Sequence, residues 1–84
     1  MFEFTREQSS AIASIEVISD NEVNIAYQSK PERFYTFTAS DSIIAEIEER
    51  AAKVLMNAPM LSIGRFIAEL IKDGDLKQIE LAAV

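Results

Sequence analysis

Ser62-Ile63-Gly64-Arg65-Phe66-Ile67-Ala68-Glu69-Leu70-Ile71-Lys72 is the stretch whose reading decides the fold. Ile63, Phe66, Ile67, Leu70 and Ile71 recur at i, i+3, i+4, i+7 and i+8, which lines them along one side of an α-helix. Ser62 stands at the N-cap position, and Lys72 followed by Gly74 marks the end. A stripe this continuous must bury against other apolar surface. The large apolar partner is the first half of the chain, which reads as strands.

Upstream, Ile43, Ile44, Ile47, Ala51, Val54 and Leu55 carry a second helical stripe. Its opposite face pairs Glu46 with Arg50 and Glu49 with Lys53, each at i,i+4 in the favourable order, so that face is expected to be solvated. The N-cap is Thr38 or Ser40, and Pro59 stops the helix at or before Ala58.

Residues 9–18 are rich in β-branched side chains and read as a strand. Strict alternation puts Ala11, Ala13, Ile15 and Val17 on one face, and Ile12, Ser14, Glu16 and Ile18 on the other. After the turn cluster Ser19–Glu22, Val23, Ile25 and Tyr27 alternate with polar or small residues, as in a half-buried strand. Pro31 interrupts, and Phe34–Thr38 forms a third strand with Tyr35 and Phe37 on one face. Connections this short imply an antiparallel meander. The expectation is one α+β domain over residues 1–84: a three-stranded antiparallel meander followed by two helices packed on one face. Phe66, Ile67, Leu70, Ile47, Val54, Ile25 and Phe37 are expected to be buried together. The tail from Asp75 fits a short helix through Leu76, Ile79 and Ala83, or a fourth strand through Ile79 and Leu81; sparse β-branching favours the helix.

The chain has 84 residues, no cysteine and no histidine, and a formal net charge of −6. Disulfides and thiolate zinc sites are excluded, and the commonest general base and metal ligand is missing. Met1–Glu7 lacks the basic and apolar regions of a signal peptide, and no apolar run reaches the ~20 residues of a membrane span. The expected compartment is the cytoplasm. The eight basic residues are spread along the chain, so no stripe follows a phosphate backbone and no nucleic-acid binding is expected. The acidic excess serves solubility, or meets a basic partner, or mimics nucleic acid.

Ser62, Gly64 and Arg65 form the candidate ligand site. Unpaired N–H groups and the helix dipole favour an anion at a helix start, glycine admits close approach, and arginine adds a fork of donors. The competing account is that Gly64 lets the helix pack closely while Arg65 pairs with an acid. Phe2 and Phe4 read as a short edge strand or an arm on a neighbour. With Met56, Met60 and Leu61 they form the candidate partner or subunit contact, since apolar loop residues of this kind lack a clear internal partner. No catalytic residues, metal ligands or cofactors are expected. Ser9-Ser10 has no histidine to activate it, and the adjacent Glu48 and Glu49 diverge by about 100° on a helix.

Ser9-Ser10-x-Ile12, Val23-x-Ile25, Tyr35-x-Phe37 and Ser62-x-Gly64-Arg65-Phe66 together resemble the KTSC domain. That small family occurs alone in prokaryotes and their phages, and appended to some lysyl-tRNA synthetases. The likeness runs roughly from Ser9 to Asp73 and departs at Lys30-Pro31-Glu32, where the family has a glycine, and at Met60, where it has a small residue. The family's closing aromatic is missing, and a ten-residue tail extends beyond the pattern. The resemblance implies a compact α+β fold, a prokaryotic or phage source and no established catalysis. The expected function is a non-enzymatic protein-binding module, acting as a small oligomer that occupies a partner. The alternative is a binder of an anionic nucleotide or metabolite at Ser62–Arg65.

Overall fold

The computed structural model describes residues 1–56 and 62–79. Their order is β1 (Phe2–Glu3), β2 (Ile12–Ser19), β3 (Glu22–Tyr27), β4 (Phe34–Thr38), α1 (Asp41–Leu55), α2 (Ile63–Asp73) and β5 (Lys77–Gln78). The fold is α+β, with two helices and an antiparallel sheet of five strands in the order β1-β2-β3-β4-β5 among the described residues. The sequence expectation of three strands is thus corrected to five, because two-residue strands flank β2, β3 and β4.

On one face, Phe2, Ile15, Ile25 and Tyr35 form a cross-strand row, and Val17, Val23 and Phe37 form the next. This face meets Ile44, Ile47, Ala51 and Val54 of α1, with Ile63, Ile67 and Leu70 of α2, in one buried cluster. Each such isoleucine, valine or leucine side chain contributes roughly 1.5–3 kcal/mol when fully removed from water. The pairing register shifts between Ile12 and Ser14, so Ile12 opposite Tyr27 and Ile15 opposite Ile25 both join the core. Strict alternation had placed Ile12 and Ile15 on opposite faces, and the extra residue Ala13 removes that separation.

Ser40, in extended backbone, caps α1 by accepting from the Ile43 N–H at 3.3 Å, which settles the choice against Thr38. Met56 closes α1, its N–H donating to Ala52 O at 3.0 Å. Ser62 caps α2 through its Oγ, 3.2 Å from the Arg65 N–H. At the other end Gly74 takes φ 82°, its N–H reaches Ile71 O and that of Asp75 reaches Leu70 O, a Schellman closure. That turn buries Leu76 and sends Lys77 and Gln78 alongside Thr38 and Phe37, while Ile79 N–H donates to Thr36 O at 2.8 Å. The expectation of a short helix in the tail from Asp75 is therefore corrected at these positions: pairing with the edge of β4 outweighs weak strand propensity. Leu81 and Ala83 lie outside the described residues. Among those described, no helix is long and apolar enough to cross a membrane.

Candidate functional site

Glu46, Glu49, Arg50 and Lys53 fall at i, i+3, i+4 and i+7 on α1, and Ser62, Arg65, Phe66 and Glu69 repeat that spacing from the α2 N-cap. The two rows border an open groove. One part, about 270 Å³, is lined by the four α1 side chains and Phe66. The next, about 180 Å³, is lined by Arg50, Ser62, Arg65, Phe66 and Glu69. Arg50 and Phe66 belong to both parts. The Arg50 guanidinium lies over the Phe66 ring, 4.5 Å from its centroid, a cation–π contact that needs no acid partner.

This contact corrects two expectations. Phe66 is half-buried and packs against the core from its rim, with the Arg50 guanidinium over its ring. Arg50 stacks on that ring and makes no ion pair with Glu46 among the described residues, whereas Glu49 does pair with Lys53, at 2.9 Å. The Lys53 ammonium, by hydrogen bond and then by charge, holds the Glu49 carboxyl below its ordinary value.

The candidate anion residues do not converge. Ser62 and Arg65 line the groove, but a Cβ placed on Gly64 would lie 2.9 Å from the Ala11 Cβ. Gly64 therefore faces the segment leading into β2, where it permits close packing of the helix. Ser62 Oγ is engaged by the Arg65 N–H, and Arg65 Nε sits 3.8 Å from Glu69 Oε1 in an exposed pair.

Of the candidate contact residues, Phe4 is buried in the chain's own core. Its N–H donates to Ala13 O at 2.8 Å and its carbonyl accepts from Gln28 Nε2 at 3.0 Å. Those bonds hold the segment against the sheet, so Phe4 has the internal partner that the sequence did not show. Phe2 packs partly buried against the same core. Met56 is 80% exposed. Met60 and Leu61 lie outside the described residues.

Sequence reasoning missed Gln28. It is buried, and its Nε2 also approaches Ser9 O at 3.2 Å and Ile12 O at 3.1 Å, so the two N–H groups of one amide serve three carbonyls between the end of β1 and the start of β2. Nothing distinguishes such a glutamine from a surface one when only its neighbours in sequence are known. Ser9 Oγ accepts from the Ile12 N–H at 3.0 Å, which is a backbone role. Tyr27 and Tyr35 meet edge-on at 5.8 Å, with the Arg33 guanidinium 5.3 Å from the Tyr35 centroid. Burial, and then Tyr35, pushes the Tyr27 hydroxyl above its ordinary value.

No protein-family model matches the chain, and no curated protein or solved structure matches it either.

Proposed function

We propose that the chain is a small, non-enzymatic protein-binding module that acts by occupying a partner protein and that self-associates. The observation that carries this reading is Met56, 80% exposed at the C-cap of α1 and three residues beyond Lys53, which lines the groove where Arg50 lies on Phe66. Methionine adapts to varied surfaces, and aromatic, methionine and arginine side chains are enriched in the centres of interfaces. The groove is not an enclosed cavity, which suits a protein surface better than a fully buried metabolite. The chain holds neither histidine nor cysteine, and its serine hydroxyls at Ser9 and Ser62 are engaged by backbone N–H groups. The likeness to KTSC domains supports a module of prokaryotic or phage origin working in the cytoplasm.

The second reading, capture of an anionic nucleotide or metabolite, is favoured by one observation: Arg50, Arg65 and Ser62 line the same part of the groove. The two readings separate in one pair of measurements. Immobilised protein should retain a defined protein from the lysate of its source cells, and Met56→Asp should lower self-association without altering the helical circular dichroism. A nucleotide or inorganic phosphate that raises the melting temperature by mass action, abolished in Arg65→Ala, would favour the second reading instead.

A further inference from the structure

The face of the sheet turned away from the helices has its own pattern. Glu3, Ser14, Ala26 and Phe34 form one cross-strand row, in which Ser14 and Ala26 are buried, and the partly exposed Glu16, Asn24 and Thr36 form the next, with Glu22, Thr38 and Lys77 the third. In the middle row the Thr36 hydroxyl donates to Asn24 Oδ1 at 2.6 Å, and the Asn24 amide donates to Glu16 Oε1 at 3.4 Å. The relay fixes the Glu16 carboxylate and leaves its second oxygen without a protein donor among the described residues. The ion pairs among those residues, Lys53 with Glu49 and Arg65 with Glu69, lie on the helices. Among the described residues Glu3, Glu16 and Glu22 therefore have no ion-pair partner, on a face whose rows hold one cation, Lys77. Phe34 is part-exposed at one end and Ile18 is 49% exposed at the other.

We propose that this outer sheet face docks a basic protein segment, with lysine or arginine side chains on the three carboxylates and apolar side chains against Phe34 and Ile18. The assignment rests on the protein-binding reading above and names the chemistry of the partner. Charge decides among occupants. A second copy docked by the same face would set glutamate against glutamate, and a nucleic acid would set phosphates against them; both oppositions are repulsive. A segment carrying lysines between apolar residues satisfies both the carboxylates and the exposed side chains.

The test is a titration of the full chain with a peptide alternating lysine and leucine, followed by amide chemical shifts and by affinity at several salt concentrations. Shifts should centre on Glu16, Asn24 and Thr36, and binding should weaken with salt. Glu16→Lys with Glu22→Lys should weaken it about tenfold or more, whereas Asp41→Lys with Glu48→Lys, the same charge change on α1, should weaken it less than about twofold. Glu3→Lys with Glu22→Lys touches no side-chain hydrogen bond among the described residues and gives the same comparison should the Glu16 variant fail to fold. Equal weakening by the α1 pair, shifts centred on α1 or α2, or no binding at all would overturn the assignment. If the peptide fails while immobilised protein still retains a partner from lysate, the basic-segment assignment falls and the protein-binding reading stands; failure of both measurements removes both.

Discussion

Gly64 shows how a single missing atom sets the position of a helix. A Cβ there would sit 2.9 Å from that of Ala11, whose carbonyl is already held by the Gln28 N–H at 2.8 Å. Alanine improves helix propensity by about 1 kcal/mol, but overpacking costs about 1–3 kcal/mol, so Gly64→Ala should lower stability in a urea titration. Adding Ala11→Gly removes the colliding methyl and should restore most of the loss, a coupling that independent sites would not show. Gln28→Leu should cost about 1–3 kcal/mol, since it strips a donor from buried carbonyls at Phe4, Ser9 and Ile12. Phe66→Ala should fall below the ~3–5 kcal/mol of a fully packed phenylalanine, because the ring lies at the core's rim under Arg50. Tyr27 gives a pH signature. Its folded value is raised above 10.0, so on raising the pH the unfolded chain ionises first. The folded state then binds the extra proton, and its stability is full below pH 10 and falls as the pH rises through that range. Tyr27→Phe should flatten that alkaline loss in thermal melts.

At the scale of elements, the helices were legible because each carries its own punctuation. Ser62 and Gly74 bracket α2, and replacing Gly74 at φ 82° with alanine should cost about 1 kcal/mol by forcing a side chain into left-handed backbone. Ser40→Ala should cost about 1 kcal/mol at the start of α1, measured in the same titration. The centres of β2, β3 and β4 were legible from alternation, which reflects one buried face. β1 and β5 were harder to read, because two-residue strands are made by the edges they join and not by their own propensity. The shift at Ala13 was also hidden: Ala, Ile and Ser alternate plausibly in either register, and only pairing with Tyr27 and Ala26 selects one. The candidate site was legible in part. Ser62 and Arg65 do share a groove, but Gly64 turns away, since a glycine in a stripe shows that space is short without showing on which side.

For the molecule as a whole, charge and exposed apolar surface make separable predictions. Net charge −6 with dispersed cations gives little counterion release, so gel shifts with random duplex at physiological salt should show no binding. The helical side carries Met56 and the Arg50–Phe66 groove, and the sheet side carries the unpaired glutamates. The proposed self-association through the first would leave the second open for the proposed basic partner, so the two interactions should be independent: Met56→Asp should leave peptide affinity unchanged. Short chains with a limited core gain stability from such association, and the commonest arrangement is two-fold. The most direct measurement is light scattering of the wild-type chain and Met56→Asp over a range of concentrations. The wild-type mass should climb above the monomer's 9.4 kDa with concentration, and the variant should stay at it. A wild-type mass fixed at 9.4 kDa up to the highest concentration would contradict self-association and with it the role given to Met56.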